Sequence, residues 1–224
     1  MTVTMKKIVS LLFTLSFLFM AQSCNVNKGL AGLSPQKALT GVQALLGGAS
    51  KNALNGFAGN VLKNEVMKKA MPKGLSNITS LLGKSPKGTK ALDLLNGALG
   101  SAVPSVASSV LGNATKNIPA ADALSILKGG DTGATDFLKK AAGKKLAAAL
   151  LPAITQKLTE NGGLSAITSA LGGKASSLFG NGKPSLADLV TSGATDGLFA
   201  MMGNAEEKER ANPTDPVLKE IFGK

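Results

Sequence analysis

SPQKALTGVQALLGG, residues 34–48, sets the reading of the whole chain. Ser34 before Pro35 is the pattern of a helix N-cap followed by proline at the first helical position, where the missing N–H has no partner to lose. Leu39, Val42, Leu45 and Leu46 then fall on one face at helical spacing, and Gly47-Gly48 is expected to stop the helix. The same grammar continues downstream. Ser50 is expected to cap a second helix that carries Leu54, Phe57, Val61, Leu62 and Val66 and ends at Pro72. Shorter helices are expected over 75–82, 87–99 and 103–111, the last opened by Pro104, and another after Ile118-Pro119. Asp131 or Thr132 is expected to cap a helix running to 151, with Pro152 either in a first turn or kinking a longer helix. Segments 155–159, 164–171, 175–179, 186–190, 195–202 and 213–222 complete the series. No stretch alternates as a strand would. The expected fold class is therefore all-α, a compact multi-helix bundle of many short helices with Gly/Pro-rich connections, forming one domain over 35–224.

The composition says what that bundle is made of. The 224 residues include 27 Gly and 8 Phe but no Trp or Tyr, and three of the Phe precede Cys24. The core must come from Leu, Ile, Val, Met and Ala, which pack helices closely but bury less area per side chain than large aromatics. One echo stands out: GLSNITSLLGK at 74–84 and GLSAITSALGG at 163–173 agree at most positions. Leu75, Ile78 and Leu82 align with Leu164, Ile167 and Leu171 in an i, i+3, i+7 stripe. Internal duplication and chance similarity within a narrow residue set both remain open for this pair.

The N-terminal stretch has the anatomy of an export signal. Lys6 and Lys7 precede the apolar run 8–20, which is too short to span a bilayer comfortably. Ala21-Gln22-Ser23-Cys24 follows and holds the only cysteine. It resembles a bacterial lipobox, in which the thiol takes a diacylglyceryl group and becomes the mature N-terminus. The expected organisation is a signal peptide over 1–23, then lipidated Cys24 with a tether to residue 34, then the helical domain. Acyl carbons inserted at about 0.8 kcal/mol per CH₂ would hold such a protein to a membrane. Nothing after Cys24 is expected to cross a bilayer. With one cysteine, no disulfide forms within the chain.

Charge divides the body in two. Residues 24–121 carry eleven Lys against Glu65 and Asp93, whereas 122–224 carry twelve basic and eleven acidic residues. A basic half can face anionic headgroups or simply be a solvated surface. Nucleic acid is not an expected partner: Arg210 is the only arginine and no aromatic set is interleaved with the lysines. The expected partners are the membrane, through the lipid, and an envelope protein, peptidoglycan or an apolar ligand.

Four segments in the second half carry a family resemblance. They are IPAADALSILKGGDTGATDFL at 118–138, the following KKAAGKKLAAALLPAITQKL, DLVTSGATDGLFAMM at 188–202 and EEKERANPTDPVLKEIFG at 206–223. Their order and spacing resemble a bacterial family of secreted, often lipid-anchored helical proteins catalogued as a domain of unknown function, number 4197, over roughly 30–223. The resemblance implies a helical envelope protein without an assigned activity. It places Asp122, Gly129, Gly130, Thr135, Phe137, Asp196, Phe199, Glu206, Arg210, Pro213 and Phe222 at signature positions. The chain departs from the pattern after Asn96, where Gly97-Ala98-Leu99-Gly100 replaces a run containing Arg and Glu, and at Phe137, where Tyr is common.

Histidine is absent, so imidazole acid–base chemistry and zinc sites built on His or free Cys have no ligands here. No cofactor is expected, and the chain reads as non-enzymatic. The candidate structural or ligand-contact residues are Asp122, Asp131, Thr135, Asp136, Phe137, Asp196, Phe199 and Arg210. Asp131 in GGDTGAT reads foremost as a helix cap. Asp136 is expected to pair with Lys139 or Lys140 one turn on. Asp196-Gly197 inside a helix is expected to mark a tight crossing, with Asp196 pairing Arg210. Glu206, Glu207 and Glu209 read as part of a solvated helix.

Overall fold

Ser34 caps the first helix as its position requires: its hydroxyl accepts the N–H of Lys37, and Pro35 is the first helical residue. The computed structural model describes residues 30, 32–179 and 184–223, so Cys24, the signal stretch and most of the tether lie outside the described residues. The described residues form an all-α body. In order it contains α1 (Pro35–Ala58), a 3₁₀ turn (Val61–Lys63), α2 (Glu65–Ala70), α3 (Lys73–Leu82), α4 (Pro86–Lys116) and α5 (Ala120–Lys128). There follow α6 (Gly133–Glu160), α7 (Gly163–Leu171), α8 (Lys174–Phe179), α9 (Leu186–Ala211) and α10 (Pro216–Phe222).

Four of these helices are long, and several expected breaks do not occur. α1 runs straight through Gly47-Gly48 for 24 residues. Each glycine costs about 1 kcal/mol of helix propensity, but buried Leu45, Leu46, Ala49, Ala53 and Phe57 lie on both sides and hold the helix together. The break comes at Gly59-Asn60 instead, and Asn64 caps α2 by accepting the N–H groups of Val66 and Met67. The pieces expected at 87–99 and 103–111 are one 31-residue helix, α4, with Pro104 inside it. Likewise Pro152 lies within α6, and α9 joins the segments expected at 186–190 and 195–202. In each case the buried stripe continues past the breaker, so tertiary burial outweighs local propensity. α4 is also long and apolar enough to cross a membrane by length and mean hydropathy, contrary to expectation. Its stripe of Ala91, Leu95, Ala98, Leu99, Ala102, Val103, Ala107 and Leu111 is buried inside the body.

The long helices close a ring: α1 packs on α4, α4 on α6, α6 on α9, and α9 back on α1. The short helices seal its flanks. α5 lies against α1 and α6, α10 against α1 and α9, and α2 and α3 against α9. The echoed segments are α3 and α7, which touch each other and both cover α4. Leu75, Ile78 and Leu82 are buried in the first copy, Ile167 and Leu171 in the second, and Leu164 is half-buried. Leu30, placed in the tether by sequence, is buried against the core.

Small residues set how closely the ring closes. A Cβ on Gly197 would collide with Met67 Sδ, and one on Gly193 with the Leu75 side chain. α9 thus presents a glycine notch to α2 and α3, which is the tight crossing expected at Asp196-Gly197. Asn96, at the point where the family pattern is interrupted, ties α4 to the end of α1. Its amide oxygen accepts the Leu62 N–H at 3.3 Å, and its NH₂ donates to the Gly59 carbonyl at 3.2 Å.

Candidate functional site

The start of α6 is built around a charge supplied by another helix. Gly130 (φ +87°) turns the chain out of α5, and Thr132 stands at the N-cap without making a side-chain cap. The N–H groups of Ala134 and Thr135 instead donate to Glu206 of α9, at 3.0 and 2.7 Å. Glu206 is fully buried and is also held by Arg210, whose Nε lies 2.9 Å from Oε1. Arg210 Nη1 donates to the Leu127 carbonyl at the end of α5, 2.8 Å away, and the guanidinium stacks over the Phe222 ring at 4.9 Å. Arg210 Nη2 is 2.8 Å from the same Glu206 oxygen, within ion-pair reach but not aligned as a hydrogen bond. One carboxylate thereby neutralises an arginine and the positive end of a helix dipole together.

Directly beside this network, α6 and α9 run antiparallel and leave a cleft of about 330 Å³. It is lined by Thr132, Thr135, Asp136 and Lys139 of α6, by Asp196, Phe199, Ala200, Gly203 and Asn204 of α9, and by Ala70 of α2. Lys139 Nζ and Asp196 Oδ1 are 3.0 Å apart across it. The Thr132 hydroxyl donates to Asp136 at 3.0 Å. Thr135 is 3% exposed, and its hydroxyl is buried with no hydrogen-bond partner. A second cavity of about 320 Å³ continues along the same seam, lined by Ala147, Ala148, Leu151, Asp188, Thr191, Ser192, Thr195 and Asp196. Thr191 repeats the pattern there: 4% exposed, with an unpartnered hydroxyl.

Four of the eight candidate residues meet in the first cleft, namely Thr135, Asp136, Asp196 and Phe199. Arg210 is next to it, in the buried network. Asp122 is exposed in the first turn of α5, Asp131 is exposed in the turn before α6, and Phe137 packs half-buried on the core. Three expected pairings are corrected. Asp196 pairs with Lys139 and not with Arg210, whose partner is Glu206. Asp136 bonds Thr132, because Lys139 reaches across to α9. Asp131 does not cap α6, since Glu206 already occupies its first N–H groups. Glu206 is buried and not part of a solvated face: Phe199, Met202, Gly203 and Glu206 form an i, i+3, i+4, i+7 buried stripe, and a charge at the next position of an apolar stripe is the signal that identifies it. Thr191 left no sequence signal.

Chemically, the seam presents carboxylate and hydroxyl acceptors, one ammonium already bound to a carboxylate, and small side chains that let a ligand approach the backbone. A third cleft, of about 390 Å³, lies between the 3₁₀ turn, α2, α3 and α4. Half-buried Leu62, Met71 and Leu92 are among its lining residues, with exposed Lys63 and Lys68. Among the described residues, no group of three or more His, Cys, Asp and Glu side chains is placed to hold a metal ion.

This architecture defines an all-α protein built on a ring of four long helices. The chain belongs to the family described as "Protein of unknown function (DUF4197)", whose model matches residues 32–223. No curated protein and no solved structure matches it.

Proposed function

We propose that this is a non-enzymatic binding protein of the bacterial envelope, tethered by a lipid on Cys24, whose α6–α9 seam receives a ligand. The observation that carries the binding role is the pair of adjoining cavities along a single seam, which share Asp196. The envelope location is supported by the Lys6-Lys7 start, the apolar run after it and the small residues before Cys24. In this reading the protein is exported across the inner membrane and held at the outer membrane, facing the periplasm. Intact mass of the membrane-fraction protein beside its Cys24→Ala form tests the tether. The expected mass is that of the chain from Cys24 plus acyl groups, and the variant is expected to be released from membranes. An unmodified chain would remove the anchor.

A second reading, an apolar-ligand binder, is favoured by the cleft beside Leu62, Met71 and Leu92. Solvent extraction of the purified protein distinguishes it: lipid in stoichiometric amount, lost on Leu62→Asp, would move the ligand to that cleft.

A further inference from the structure

We infer that the α2–α3 end of the body is a docking surface for an anionic phospholipid bilayer, with lysines on the lipid phosphates and the cleft beside Leu62, Met71 and Leu92 taking up lipid carbon. The inference deepens the second reading of that cleft, naming a lipid surface in place of a single enclosed ligand, and it uses neither the α6–α9 seam nor Cys24. The positive charge of the chain is concentrated here. Residues 63–93 hold seven Lys against Glu65 and Asp93, whereas 94–138 hold Lys116 and Lys128 against three Asp. All seven lysines are exposed. Lys68 pairs with Glu65 at 2.7 Å, and the other six have no ion-pair partner among the described residues. Lys63 and Lys68 line the cleft itself. Lys73 stands one turn before Ser76 on α3, and Lys90 one turn before Asp93 on α4, so each adjoins a lining residue. Half-buried apolar side chains and unpaired ammonium groups therefore meet at one place, and Asp93 is the single carboxylate in the cleft. Lys63 lies five residues beyond the end of α1, whose 24 residues span about 36 Å, so this contact is separate from the tether that joins at residue 34.

A bilayer surface matches both parts. Each lysine held near an anionic membrane strengthens partitioning by about fivefold, and the effect needs a field of phosphates rather than one fixed anion. Lysine suits that field, being a point charge on a flexible stem; the forked contacts by which arginine fixes a single carboxylate or phosphate are missing, since Arg210 is the only arginine and lies elsewhere. Ser76 and Ser80 add exposed hydroxyls that can donate to phosphate oxygens. Glycan and nucleic acid fit less well. No aromatic residue occurs between Phe57 and Phe137, and Phe57 is fully buried, so this end offers no ring for a sugar or base to stack on. A polyanion without carbon chains would leave the apolar side chains of the cleft in water.

Lysine acetylation of the full chain, read residue by residue by mass spectrometry, tests the assignment on phosphatidylglycerol vesicles against phosphatidylcholine vesicles. Lys63, Lys73 and Lys90 are expected to react severalfold more slowly on phosphatidylglycerol, while exposed Lys116, Lys140 and Lys144 react at the same rate on both. The protection is expected to disappear in molar salt, where the screening length falls to about 3 Å. The Lys63→Glu/Lys73→Glu/Lys90→Glu variant changes only exposed side chains, so its thermal melt should stay at or above the parent's, and it is expected to lose the protection of Lys68 and Lys69. Lys116→Glu/Lys140→Glu/Lys144→Glu carries the same net charge and is expected to keep it. Equal rates on the two vesicles, equal protection by soluble polyphosphate, or equal loss in both triple variants would each overturn the assignment. Because rates are compared between lipids, an N-terminal anchor that holds the chain to either vesicle leaves the result unchanged. Stoichiometric lipid recovered by solvent extraction without lysine protection removes only the bilayer and leaves the apolar-ligand reading standing; protection without recovered lipid does the reverse.

Discussion

Glu206 on α9 and Arg210 one turn later form a buried pair that closes a different helix: Oε1 lies 2.9 Å from Arg210 Nε, while the carboxylate accepts the first N–H groups of α6. The two residues have unequal roles. Glu206→Ala strands the arginine and two backbone donors, and is expected to cost about 3–5 kcal/mol, as broken buried pairs do. Arg210→Met leaves Glu206 its two N–H donors and is expected to cost less. Urea denaturation of both variants checks the order; equal losses would mean that the helix N-terminus contributes nothing.

Two glycines in helix interiors should respond in opposite directions. A Cβ at Gly97 meets nothing within 4 Å, so Gly97→Ala is expected to stabilise by about 0.4–1 kcal/mol. Gly197→Ala would drive a methyl into Met67, which is fully buried, and is expected to destabilise by about 1–3 kcal/mol. Thermal melts of Gly197→Ala with and without Met67→Ala provide the check. Part of the loss should return in the double variant, because the collision is gone.

The helical class was legible because Leu39, Val42, Leu45 and Leu46 keep a 3.6-residue period, and because Ser34 precedes a proline and caps a helix; the like caps at Ser85 and Asp215 went unread. Helix length was not. Gly47-Gly48, Pro104 and Pro152 are local signals to stop, and what overrides them is burial against helices far away in sequence. The crossing at Gly197 could be inferred from a glycine inside an apolar helix. The partner of Asp196 could not, since Lys139 is 57 positions away and only the antiparallel packing of α6 on α9 brings them together. Asp136 was misassigned for the same reason: a short-range partner was available in sequence, and a long-range one took it.

Thr135→Val tests whether the seam carries a stability cost. Removing a buried hydroxyl that has no partner is expected to raise stability by about 1 kcal/mol. Thr195→Val is the contrast, because the Thr195 hydroxyl donates to the Thr191 carbonyl at 2.8 Å and its loss is expected to be neutral or destabilising. Melting temperatures of the two variants decide it; a destabilised Thr135→Val would mean that the hydroxyl is satisfied in solution.

Acid should act partly through Glu209. Burial pushes its carboxyl up, but the N–H groups of Asp215 and Thr214, the Thr214 hydroxyl and the charge of Lys219 together hold it below the ordinary 4.5. The folded chain therefore releases this proton more readily than the unfolded chain. The stabilisation is complete above about 4.5 and is lost as pH falls through the lower folded value. Glu65, held down by Lys68, and Glu160, held down by Lys157 and Gln156, act in the same direction. Urea midpoints measured across this range should fall with acid in the parent, and fall less steeply in Glu209→Gln.

The packing of α10 on α1 fixes when the body can be finished. Ile221 fills the notch at Gly41, and Lys37 pairs with Glu220 across 183 positions of sequence. On a ribosome, α1 emerges long before the helix that covers it, and its Gly41 face must wait for the seven-residue α10. Contacts of such separation form slowly because the intervening loop must close first. A nascent chain halted before Pro216 would hold every long helix yet leave that notch open, so α1 keeps an uncovered face until α10 arrives.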